Sequence, residues 1–275
     1  MKEFNTTAIC VPELHYMVDT TEKMQQIEKL IAQGNYFTIN RARQYGKTTM
    51  MYSLCRKLKT EYLVLNLSFE GWGDKAFSED ETFVNQFLSS VTEYLEDTDQ
   101  YTELLNEWNQ PIDAKEKKLD AFDLLSKRIT WFCKLCPKKI ILMIDEVDKS
   151  SDNQIFLHFL GMLRNKYIKR VGDHIPTFWS VILAGVYDIK NMKLKLRPDE
   201  EKKYNSPWNI AVDFEVDMSF SPKEIATMLQ EYEDDHHTGM DIAEMSEELY
   251  KYTNGYPYLV SWLCKWMDNS KEPLW

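Results

Sequence analysis

Four short apolar runs punctuate the first two-thirds of the chain: "YFTI" (36–39), "YLVLNLSF" (62–69), "IILMI" (140–144) and "WSVILAG" (179–185). They are rich in β-branched and aromatic residues and lack the polar alternation of a half-exposed strand. Such runs predict strands buried on both faces, as in a parallel sheet covered by helices. Between them apolar residues recur at helical spacing, in "TEKMQQIEKLIAQG" (21–34, stopped by Gly34), "ETFVNQFLSSVTEYLEDT" (81–98), "AFDLLSKRITWFCKL" (121–135) and "NQIFLHFLGMLRNKYIKR" (153–170). Strands alternating with helices predict a three-layer α/β domain.

After about residue 215 the pattern changes to helices alone. "SPKEIATMLQEYE" opens with a Ser-Pro helix start, and "DIAEMSEELYKYTNG" and "YPYLVSWLCKWMDN" follow. The expected division is therefore an α/β domain over 1–215 and a small helical domain over 216–275. The chain stops at "KEPLW", soon after an apolar helix, which reads as a truncated chain or one that continues into a further domain.

Composition adds bounds. At 275 residues, 44% hydrophobic and 28% charged, the chain suits one large domain or a large one plus a small one. The formal net charge of −11 makes the surface as a whole a poor attractor of nucleic acid. "RNKYIKR" (164–170) and "KNMKLKLR" (190–197) are locally basic; a solvated surface is their ordinary role, and nucleic acid or an acidic partner the alternative. With no basic-then-apolar leader and no apolar run of membrane-spanning length, the expected location is cytoplasmic and no membrane partner is expected. Five scattered cysteines suit a reducing compartment. Cys133 and Cys136 form a lone C-x-x-C without the second pair a structural zinc needs, so they read as packed thiols. His236-His237 reads as a solvated loop.

The chemistry concentrates in "NRARQYGKTT", residues 40–49, between the first apolar run and the helical "TTMMYSLCRKLKT". A Gly-Lys-Thr between strand and helix points backbone N–H groups and a helix N-terminus at a phosphate. Gly46 lets the backbone approach, Lys47 reaches the β- and γ-phosphates, and Thr48 holds Mg2+ through its hydroxyl. The usual pattern G-x-x-x-x-G-K-[ST] would place its first glycine at 41, where this chain has Arg41. The loop is thus expected to open in a backbone conformation that ordinary residues adopt, with Arg41 and Arg43 adding positive charge beside a triphosphate. A second strand, in "KKIILMIDEVD", ends in Asp145-Glu146, a Walker B arrangement in which Asp145 joins the Mg2+ shell and Glu146 polarises water. Singly, Lys47 reads as a solvated lysine at a helix start and the two acids as N-cap carboxylates; together and in this order, they favour a nucleotide site.

These residues resemble the AAA-like P-loop ATPases whose loop reads R-x-R-[RQ]-[FY]-G-K-[ST]. Arg41, Arg43, Gln44, Tyr45, Gly46, Lys47 and Thr48 match it position by position, and the Y-x-V-D stretch Tyr16–Asp19 matches the segment ahead of the loop. Related STAND-type ATPases carry a G-x-P motif in a helical lid near the nucleotide, supplied here by Gly255 and Pro257. The resemblance implies ATP and Mg2+ as cofactors and hydrolysis served by Glu146 and Lys47. The expected cofactor-binding set is Arg41, Arg43, Gln44, Tyr45, Gly46, Lys47, Thr48, Thr49, Asp145 and Pro257, with Thr48 and Asp145 as metal ligands. It also implies an effector domain or protein partner, in some members a C-terminal nuclease-like domain, and is compatible with an oligomer.

ATP is expected over GTP because no N-K-x-D guanine motif follows; "NKYI" (165–168) lacks the carboxylate. The alternatives are a nucleotide-operated switch that does not hydrolyse and the motor segment of a nucleic-acid-processing nuclease. Asp188 reads as a γ-phosphate sensor or a solvated turn, and Arg164 as a charged helix face or an arginine finger. Tyr258, Trp262 and Trp266 of the last helix read as packing aromatics.

Overall fold

The four apolar runs form β1 (Tyr36–Asn40), β2 (Leu63–Ser68), β3 (Ile140–Asp145) and β4 (Ser180–Gly185) in a computed structural model that describes residues 2–96, 101–109, 119–147, 153–186, 193–194 and 204–270. All pair in parallel, in the order β1-β4-β3-β2. Every residue of β3 and β4 is buried, as is β1 up to Asn40, which is why these runs show no polar alternation. The fold is α/β with a parallel sheet, as the alternating pattern predicts.

The chain divides into two compact units, one of residues 30–40 and 55–214, the other of residues 1–29, 41–54 and 215–275. Helix α1 (Thr21–Ala32) precedes β1 and α2 (Lys47–Leu58) follows it; the first unit holds the sheet and the helices α3 (Asp80–Glu96), α4 (Thr102–Trp108), α5 (Ala121–Leu135) and α6 (Gln154–Asp173). Its core gathers aromatic rings around Phe83, which lies 5.2 Å from Phe159 and 6.0 Å from Phe69, centre to centre. α5 starts where the Asp120 carboxylate accepts the N–H of Asp123, and α6 where the Asn153 amide oxygen accepts those of Ile155 and Phe156. The Arg170 guanidinium donates to the carbonyls of Gly34 (2.6 Å), Phe178 (2.8 Å) and Trp179, tying α6 to the segments that enter β1 and β4. Cys136 is buried, burial pushes the Cys133 thiol well above its ordinary range, and both are free thiols. Among the described residues no group of three or more His, Cys, Asp and Glu side chains could hold a metal, and no helix is long and apolar enough to cross a membrane.

Lys166 is a buried cation in this unit, donating to the Ser126 carbonyl and the Thr130 hydroxyl at 2.6 Å each. Burial, the largest cause, pushes its ammonium down to about 8; Cys133 opposes the shift and the charge of Lys169 adds to it. An unfolded lysine keeps its proton to about pH 10.4. Between those values the unfolded chain binds more protons than the folded one, so stability rises with pH through this window and is lost as pH falls through the folded value. Lys166→Met should flatten the rise in denaturant midpoint measured from pH 8 to about pH 10; an unaltered slope would show that Lys166 does not cause it.

The second unit contains α7 (Pro222–His236), α8 (Ile242–Thr253) and α9 (Pro257–Asp268). α7 begins at the predicted Ser-Pro start: the Ser221 hydroxyl accepts the Glu224 N–H, and the Glu224 carboxylate accepts that of Ser221. Ile225, Leu229, Leu249, Val260 and Cys264 pack there with Phe4 and Tyr16 from the N-terminal segment. Two readings of the sequence are corrected in this unit. Trp262 and Trp266 are 45% and 55% exposed, because α9 buries the stripe Pro257, Val260 and Cys264, and the tryptophans lie on another face. His236 is the last residue of α7 rather than part of a loop, stacked on Tyr232 at 4.2 Å.

Candidate functional site

The chain leaves β1 at Asn40, passes through residues 41–46 without regular structure, and enters α2 (Lys47–Leu58) at the lysine itself. Two positions of this loop have left-handed backbone, Gln44 at φ 62° and Gly46 at φ 73°. Arg41 is not among the described residues with positive φ, so the position where a glycine is usual makes no demand that a side chain cannot meet. The strain falls instead on Gln44, at about 1–2 kcal/mol for a non-glycine residue. Lys47 is 7% exposed and folds over its own loop, donating to the carbonyls of Arg41 at 2.8 Å and Ala42 at 3.0 Å.

The other loop residues have distinct surroundings. Arg41 gives a guanidinium N–H to the Val216 carbonyl at 2.8 Å, a tie to the segment ahead of α7, whereas the sequence assigned it only charge beside a phosphate. Arg43 and Thr48 are exposed. The Thr49 hydroxyl accepts the Cys10 N–H at 3.2 Å. A Cβ on Gly46 would meet nothing within 4 Å, so open space lies against the loop backbone there.

Beside this loop, within the same unit, is a cavity of about 420 Å3. Met50 and Ser53 of α2 line it with Gln44, Tyr45, Gly46 and Thr49, and Pro257 and Tyr258 close it from the start of α9. Residues 5–8, Cys10 and Tyr16–Val18 form further wall. The Tyr16–Asp19 motif is thus partly accounted for, but residues 5–10 carry no sequence signal for a cavity. Their legible feature is an Asx turn, in which the Asn5 amide oxygen accepts the Thr7 N–H at 3.0 Å.

The corner between α8 and α9 is held by backbone. Gly255 has φ 71°, its carbonyl accepts the Phe220 N–H at 2.8 Å, and a Cβ there would lie 2.0 Å from the Phe220 oxygen. Tyr256 then caps α9, and Pro257 is buried in its first turn. The Tyr256 hydroxyl donates to the Arg43 carbonyl at 3.0 Å, and its ring lies 4.9 Å from that of Tyr45.

Asp145 and Glu146 belong to the unit that holds the sheet. Asp145 is the last residue of β3 and 6% exposed; its carboxylate accepts the N–H of Glu146 at 2.9 Å. Glu146 itself has left-handed backbone at φ 57°, an outlier of the kind that gathers at functional sites. Register puts Asp145 opposite Ser68 and Asn40 opposite Gly185, so all four strands end at one edge of the sheet. In open α/β sheets ligands bind off that edge. Arg164 is an exposed residue of α6. Asp188 and most of residues 190–197 lie outside the described residues.

Residues 8–271 match the AAA-like domain family, and the chain belongs to it. Among solved structures it is similar to a Walker-type ATPase of Pyrococcus abyssi, with a TM-score of 0.61 and 13% identity over 98% of this chain and 72% of that one. No curated protein matches the chain. Family and fold together make it a protein of the P-loop ATPase class.

Proposed function

We propose that the chain binds ATP with Mg2+ and hydrolyses it, using the cycle to drive or switch a protein partner or an effector domain in the manner of STAND-type ATPases. The observation that supports this best is the loop before α2. Lys47 rests on the carbonyls of Arg41 and Ala42, and the space against Gly46 is open where a phosphate would lie. The residues fit the group: an anion suits a helix N-terminus with a lysine at its first position, and Mg2+ takes oxygen ligands of the kind Thr48 and Asp145 offer. Bound Mg2+ would neutralise charge on the phosphates. Lys47 leaves its carbonyl partners for the β- and γ-phosphate oxygens, and Arg43, exposed beside them, adds charge.

In this reading the base lies in the cavity beside the loop. The cavity's volume of about 420 Å3 is ordinary for a small-molecule site, and Met50, Tyr45, Pro257 and Tyr258 present apolar surface to a purine face. In this reading residues 216–275 act as the lid of a 1–215 nucleotide domain. Glu146 takes a proton from the attacking water, which is general-base catalysis.

Phosphate release from MgATP by the wild-type chain is the test. Turnover above background, with less from MgGTP, is expected. Binding without turnover would leave the switch that does not hydrolyse.

A further inference from the structure

We propose that Tyr256 is a positioning residue for the phosphate loop, setting the Arg43–Gln44 peptide from the lid; this rests on the nucleotide reading above. The loop presents three consecutive carbonyls, and each has a side-chain donor. Arg41 and Ala42 share the Lys47 ammonium, and Arg43 takes the Tyr256 hydroxyl at 3.0 Å. The two donors differ in one respect. Lys47 is the cation that a phosphate draws away, whereas Tyr256 has no such competing task and keeps its carbonyl when the nucleotide enters.

The consequence follows from peptide geometry. No described peptide bond is cis, and in a trans peptide the C=O and the following N–H point in opposite directions. With the Arg43 carbonyl pinned towards Tyr256, the Gln44 N–H faces away from the lid tyrosine. A loop that binds phosphate does so with N–H groups and must keep its carbonyls off the anion. Gln44 needs such a restraint more than its neighbours, because its φ of 62° is uphill for a residue with a Cβ.

The tyrosine is itself well fixed. Its ring lies 4.9 Å from that of Tyr45, its backbone caps α9, and Gly255 before it is locked to Phe220. Gln44 Oε1 lies 3.3 Å from the same hydroxyl. One proton serves one acceptor at a time, and the Arg43 carbonyl at 3.0 Å is the nearer of the two. Burial, then Tyr45 and Tyr258, raise the phenol above its ordinary range, which keeps it a donor.

Tyr256→Phe removes one oxygen and keeps the ring on Tyr45. Two probes separate the ends of the site: MgATP, which uses both, and inorganic tripolyphosphate with Mg2+, which uses only the phosphate loop. The variant should bind both about three- to tenfold more weakly, by the same factor, with an unchanged melting temperature. Loss confined to MgATP would place the effect at the base and overturn the proposal, as would unaltered binding of both. A wild-type chain that binds neither probe would overturn the nucleotide reading and this inference with it.

Discussion

Glu146→Gln should slow phosphate release from MgATP by about a hundredfold or more, while ATP affinity stays essentially as in the wild type. Glutamine preserves the shape and hydrogen-bonding reach of the side chain but cannot accept a proton from water at neutral pH. It also leaves the backbone cost unaltered, since the left-handed φ of 57° at this position is as uphill for glutamine as for glutamate. Binding is expected to survive because Lys47, assigned to the phosphates, and Thr48, assigned to Mg2+, belong to a different segment. Phosphate release and calorimetric titration of both chains, at saturating MgATP, separate the two quantities. If the variant turns over as fast as a hydrolysing wild type, another group activates the water and Glu146 serves only its local geometry.

The strands of this fold are legible because burial on both faces leaves one physical signal, a short run of β-branched and aromatic residues without alternation. All four runs became strands, offset by a residue or two. The α7 start was equally legible, since Ser221, Pro222 and Glu224 satisfy a helix N-terminus from within the sequence itself. Long-range relations were not. Nothing in "RAR" shows that Arg41 reaches the Val216 carbonyl, because that bond depends on where the chain returns after 175 residues. The hydroxyl tie from Tyr256 to the loop was hidden for the same reason, although the neighbouring Gly255 and Pro257 stood out. The exposed Trp262 and Trp266 were misread because composition alone says that aromatics pack, whereas the position of the buried stripe decides which of them do. Local geometry was only half legible at the loop. The absence of glycine at position 41 rightly pointed to an ordinary backbone there, but the shift of strain to Gln44 left no mark in residue type.

The central claim is that the loop before α2 grips a triphosphate, and calorimetric titration of MgATP into the wild-type chain and into Lys47→Ala tests it most directly. Lys47 sits at the first position of α2 and now holds the carbonyls of Arg41 and Ala42. Its removal takes away the cation for the phosphates and loosens the loop that would cradle them. A hydrogen bond to a charged group contributes about 1.5–3 kcal/mol, so the affinity should fall at least about tenfold. The melting temperature, measured on the same samples, shows whether the fold has survived. Weaker binding by an intact variant is the expected result; equal affinity in an intact variant would contradict the assignment of the loop.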